Sequence, residues 1–164
     1  QIMNPALIEH DQTLPVYLRK FTANSVLVKL LSMYAGEVLQ RLRKYDEANE
    51  LFAFLLDSQG TYLQDARARW FERLALNLEM HLKRPVEAYA VLERGLADTR
   101  HVKKAGRLAL WQRLCKMRQT KRYLNIKELK EKLLLSQDDN DSIQPVEKYD
   151  FIEAPTVEIE GSLR

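Results

Sequence analysis

A chain of 164 residues with a formal net charge of +3, five Gly and five Pro is long enough to bury one sizeable core. Plentiful Leu, Ala, Glu, Lys and Arg favour helices over sheets, so the expected fold class is all-α. A single cysteine, Cys115, excludes an internal disulfide framework and a cysteine-rich zinc site, and no apolar run approaches a membrane span of ~18 residues. The chain begins with Gln1 and carries no signal-peptide pattern, so it reads as a piece of a longer intracellular polypeptide with no membrane partner.

In chain order, Pro15 in a first-turn position predicts a short helix over 15–21. Asn24 is the expected cap of a long helix over 25–44, with Gly36 inside it as a point of weakness. A partner helix over 46–58 ends before Gly60. A second pair spans 62–83 and 85–97, and a third, looser pair spans 102–119 and 126–135. Residues 136–155 read as a solvated acidic linker, and 156–164 open with a short alternating, strand-like segment.

The first two pairs echo each other at a spacing of forty. Leu42 to Ala48 aligns with Leu82 to Ala88, Leu30 and Leu31 with Trp70 and Phe71, Tyr34 with Leu74, and Val38 with Leu78. Each unit is a long helix, a tight basic turn and a shorter helix, the pattern of helical hairpins that close a core only by stacking. Ala48 and Ala88 fit such a crossing, where only a methyl group lets two backbones approach. The expected architecture is a helix–turn–helix repeat array resembling tetratricopeptide repeats (TPR), over 14–135. Trp70, Phe71, Leu74, Leu78 and Trp111 are its expected core.

The search for chemistry finds little catalysis. His10, His81 and His101 have no partner at metal-ligand spacing. Glu128-Leu129-Lys130 has the form of a nuclease E-x-K element, but it lies in a basic helical stretch with no Pro-Asp upstream. Cys115 falls on the apolar side of its helix. No catalytic residue and no metal ligand is expected within the segment.

Charge is the stronger signal. Residues 100–132 carry twelve Lys and Arg against Glu128 and Glu131, while 136–164 carry a net charge of −6. A basic block suggests a polyanion, most commonly nucleic acid; the competing reading is that the acidic tail covers it. Lys103, Lys104, Lys121 and Arg122 stand at the two ends of one helix, where ammonium and guanidinium groups meet phosphates without reading sequence. Lys83 and Arg84 repeat Arg43 and Lys44 at the equivalent turn, where positive charge also complements a helix C-terminus. Arg107 and Arg118 lie on the side of Trp111, placed to snorkel around it or to meet carboxylates of an adjoining domain, and Arg113 and Lys116 face the other way.

The run from Arg69 to Lys83, with its paired Trp70-Phe71 and ladder of leucines, resembles a segment of the Fanconi-associated nucleases. So do Leu18 to Thr22, Glu37 to Arg43 followed by Tyr45-x-Glu47-Ala48, Gly95 to Asp98, and Gly106 to Arg113. These blocks keep order and spacing over 14–118, and 156–164 resembles the start of the segment leading into the family's nuclease domain. The resemblance implies a TPR-like domain joining a DNA-binding region to a nuclease domain. It also implies a parent that cuts near 5′ flaps and trims 5′ ends with Mg²⁺ or Mn²⁺, in interstrand-crosslink repair in the nucleus. Branched DNA, the neighbouring domains and Fanconi-pathway proteins are the partners it implies. A non-enzymatic TPR adaptor that binds a protein partner is the alternative from another class.

Overall fold

The computed structural model describes residues 5–57 and 62–127 together with Leu129, all of them in helices or their connections, with no strand among them. Gly60, the expected linker at 136–155 and the strand-like segment at 156–164 lie outside the described residues.

The chain opens with a helix that apolar periodicity does not announce, α1 (Pro5–Thr13). Its sequence has no continuous apolar stripe, and what docks it is a carboxylate, Asp11, only 5% exposed, with Ile8 packed beside it. A single turn, α2 (Val16–Arg19), follows, and Pro15 precedes it at the cap position with φ −53° and ψ 141°. Helix α3 (Ala23–Met33) is capped by Thr22, whose side chain accepts from the Ser25 amide, and not by Asn24. Asn24 is buried instead, where it donates to Asp11.

The long helix continues from α3 through a π-helical turn, Tyr34–Leu39, before the first basic turn. Gly36 sits inside that turn, so the sequence weakness there becomes a widened coil and not a break. Helix α4 (Tyr45–Asp57) returns against it. Helix α5 (Arg67–Leu76), entered through a 3₁₀ turn at Gln64–Ala66, likewise runs into a π-helical turn, Asn77–His81. Helix α6 (Pro85–Ala97) returns against α5, with Pro85 in its first turn, where the missing N–H costs nothing.

Helix α7 (Lys104–Gln119) packs on both α5 and α6, and α8 (Lys121–Leu124) is one short turn. Past α8, Lys127 and Leu129 are helical and Leu129 is fully buried, while the rest of the expected last helix lies outside the described residues.

The core runs between the hairpins. Ala48 and Ala88 are both fully buried, as is Tyr89, and Phe52, Leu55 and Leu56 of α4 meet Trp70 and Leu74 of α5 within one cluster. Trp70 is 2% exposed and directs its indole N–H to Ser32 Oγ at 2.7 Å, while Phe71 and Leu78 are buried on the same helix. Trp111 differs from its expected place in the core. It is half-buried at the margin, with the Arg118 guanidinium 4.9 Å above its ring.

Two glycines set how closely the elements of the second hairpin approach α7. A methyl group at Gly95 would lie 2.7 Å from Leu110 and 2.9 Å from Phe71, and one at Gly106 would lie 2.5 Å from the Ala68 side chain. Both glycines belong to the sequence blocks that carry the family resemblance, and close backbone packing gives each a physical reason.

Candidate nucleic-acid interface

The two basic turns are built alike. Arg43 and Lys83, forty residues apart, both adopt left-handed backbone, with φ of 58° and 57°. That region is the usual stop of a helix and normally goes to Gly, because a Cβ there costs energy. The amide of Lys44 returns to Leu39 O at 2.9 Å, and the amide of Arg84 returns to Leu78 O at 2.8 Å, closing the last carbonyls of each long helix. Lys83 also donates its ammonium to Met80 O at 2.6 Å. On the far side of each turn a cation pairs with the Glu three residues on, Lys44 with Glu47 at 2.8 Å and Arg84 with Glu87 at 3.8 Å. Lys44, Lys83 and Arg84 therefore have local work, and Arg43, Lys44, Lys83 and Arg84 are all exposed.

The structure divides the sequence-predicted cations between two ends of the domain. Glu79, in the π-helical turn just before Lys83, accepts from Arg113 at 2.7 Å and from the Tyr123 hydroxyl at 3.0 Å. These bonds bring the C-terminal end of α7, and with it exposed Lys121, to the same end as Lys83 and Arg84. Arg122 belongs to α8, and its side chain lies outside the described part of the structure. Lys103 and Lys104 start α7 at the opposite end, about 24 Å away along its sixteen residues. There Lys103 pairs with Asp65, while Lys104 is exposed.

Much of the positive charge of α7 is committed inside the fold. Arg113 is held by Glu79, with both side chains largely buried, and Arg118 lies on Trp111. Sequence alone places Arg113 outward, because its acceptor Glu79 is thirty-four residues away and nothing local signals the pair. Cys115 is half-buried.

Two polar clusters are not visible in the sequence. Asp11 accepts from the Tyr62 hydroxyl at 2.5 Å and from Asn24 at 3.1 Å, tying α1, α3 and the approach to α5. Burial pushes the Asp11 carboxyl up, but hydrogen bonds from Tyr62, Thr22 and Asn24 and the nearby His10 bring it below the ordinary carboxylate range. Burial and the same carboxylate push the Tyr62 hydroxyl up to about 12. At the α6–α7 turn, Asp98 accepts from Arg67 at 2.7 Å and meets His101 Nδ1 at 2.8 Å. Burial raises Asp98, and the Arg67 and His101 hydrogen bonds outweigh it, so its carboxyl too lies below the ordinary range. His81 stacks flat on Tyr45, with centroids 3.8 Å apart. His10 is exposed beside Asp11.

Among the described residues no group of three or more His, Cys, Asp or Glu is placed to hold a metal ion, and no helix is long and apolar enough to cross a membrane. Glu128 and Lys130 lie outside the described residues. The class of protein defined so far is an all-α domain of packed helical hairpins with cationic turns.

Comparison with known sequences makes it particular. Residues 1–118 match the family described as Fanconi-associated nuclease 1, TPR domain. The mouse (Mus musculus) Fanconi-associated nuclease 1 is 42% identical over 120 residues, 73% of this chain and 12% of its own length. The human protein is 40% identical over 130 residues, 79% of this chain and 12% of its own length. A homolog from Dictyostelium discoideum is 29% identical over 98 residues, 60% of this chain and 9% of its own length. The chain belongs to the Fanconi-associated nuclease 1 family and represents the TPR domain of that family. It spans about 12% of the length of its mouse and human relatives.

Proposed function

We propose that this chain is the helical scaffold of a structure-specific DNA repair nuclease, a TPR-like array that holds a DNA-binding region and a nuclease domain in register. The observation that carries the reading is the family match over 118 residues, on a chain whose described part is packed helices with exposed cations on its turns. In this reading the parent is a 5′ flap endonuclease and 5′–3′ exonuclease of the phosphodiesterase I type. It works in interstrand-crosslink repair in the nucleus, alongside Fanconi-pathway proteins. Its Mg²⁺ or Mn²⁺ would be held by the nuclease domain, with no ligand from this segment. The array contributes stiffness: each hairpin is braced by its neighbour, so the distance between the flanking domains is fixed by packing and not by a tether.

The array also adds phosphate contacts that carry no sequence information. Lys83, Arg84 and Lys121 share one end and are the better candidates, with Arg43 and Lys44 at the equivalent turn. Lys103 and Lys104 lie at the other end, and Asp65 already meets Lys103.

The scaffold role is tested in a full-length family nuclease by replacing this segment with a flexible linker of equal reach. Cutting of simple DNA ends should persist, while the position of cleavage on flap substrates should scatter. Unchanged cleavage positions would end the scaffold reading.

A further inference from the structure

Large apolar side chains are exposed along one side of the first long helix. Val26, Leu30, Met33 and Tyr34 are 47%, 57%, 53% and 47% exposed, and Val38 and Leu42 continue the line past the π-helical turn. From Ala23 to Leu42 this is about 30 Å of helix. Soluble monomers seldom leave a contiguous apolar patch of that extent in water. Charge is sparse here too, with Lys29, Glu37 and Arg41 the only charged residues of the stretch.

The second hairpin shows what such a side is for. Forty residues on, Leu30 and Tyr34 correspond to Trp70 and Leu74, which are 2% and 7% exposed. What covers that side of α5 is the preceding hairpin. Trp70 reaches Ser32 of α3, Asn77 donates to Asn49 of α4 at 3.0 Å, and His81 stacks on Tyr45 of α4. The corresponding positions of the first long helix are Leu30, Glu37 and Arg41, of which Glu37 pairs with Arg41 at 3.6 Å and reaches Arg69 of α5 at 4.0 Å.

We infer that this side of α3 is the seat of a further helical hairpin from the same longer polypeptide, docked on α3 as the α3–α4 hairpin docks on α5. The inference rests on the scaffold reading above and adds the surface through which the array is continued. The mouse and human relatives are about six times longer than this chain, so they have sequence to supply the hairpin. The occupant's facing helix would carry aromatic residues at i and i+7 and a hydrogen-bonding residue at i+4, as α4 does with Tyr45, Phe52 and Asn49, with most of its energy coming from burial against Leu30 and Tyr34. An aromatic ring at the place of Tyr45 would stack on the Arg41 guanidinium as Tyr45 stacks on His81.

The test is thiol labelling of a full-length family nuclease carrying Leu30→Cys, with Arg43→Cys on the exposed turn as the reference and Val26→Cys as a second probe of the same side. At nanomolar protein, Leu30→Cys should react with a bulky maleimide at least tenfold more slowly than Arg43→Cys. Equal rates at both probes of the seat would overturn the inference. Protection seen only at micromolar protein and lost on dilution would also overturn it, because the occupant would then be a second copy of the chain. Labelling does not depend on cleavage, so protection with unchanged cleavage positions would keep the seat and remove the scaffold role.

Discussion

Asp11 keeps its charge while nearly buried because Tyr62, Asn24 and Thr22 surround it with donors, and that arrangement has a direction in pH. A carboxyl held below its usual range contributes stability above the ordinary carboxylate range and loses it as pH falls through its lowered value. Tyr62, raised to about 12, contributes below pH 10 and loses that contribution as pH climbs toward 12. Thermal melts of the wild type should therefore drop at both extremes, and Asp11→Asn should flatten the acid limb where Asp98 is not limiting. Trp70→Ala would leave a cavity where the indole fills the space between hairpins, at a cost of roughly 3–5 kcal/mol. Chemical denaturation would read that loss. Lys83→Gly should separate strain from charge: relief of the left-handed backbone should hold or raise stability by up to ~1 kcal/mol, while phosphate binding falls. A Lys83→Gly protein that melts well below wild type would show that the ammonium on Met80 O outweighs the strain.

Among the elements, the hairpins are legible in the sequence because their signals are local. The basic turns and the small Ala48 and Ala88 all fall within a few residues of the turn they define. Helix α1 is not legible, since a buried carboxylate paired with a tyrosine fifty-one positions away leaves no periodic trace. The cap of α3 is Thr22 and not the expected Asn24 for a related reason: a capping-type residue is needed in a tertiary cluster. The candidate interface is legible as a set of cations and not as a surface, because Glu79 and Asp65 decide which cations are occupied. The close approach of α7 yields its own expectation. Gly106→Val should destabilise by about 1–3 kcal/mol, because a side chain there meets Ala68 with no flexible group to yield. Paired with Ala68→Gly, part of that loss should return, as a denaturation series on the double variant would show.

Across the whole molecule, the separation of charge makes a concrete demand on DNA binding. Lys83→Glu with Arg84→Glu in the full-length nuclease should weaken affinity on every sequence alike. The same pair should make the salt slope shallower by about one for each phosphate that a replaced cation had neutralised. Lys103→Glu at the other end should change it little, since Asp65 already takes that ammonium. Equal losses of affinity at both ends, measured by titration at several salt concentrations, would mean that the duplex spans the whole length of α7. The π-helical turn at Tyr34–Leu39 has a consequence of its own. It stores one spare residue within a rod, beside Gly36, where a side chain would meet nothing within 4 Å. A one-residue deletion there can be absorbed by tightening the coil, leaving both ends of the rod in their original phase. The same deletion in the middle of α6 would turn every later side chain by a quarter of a circle or more.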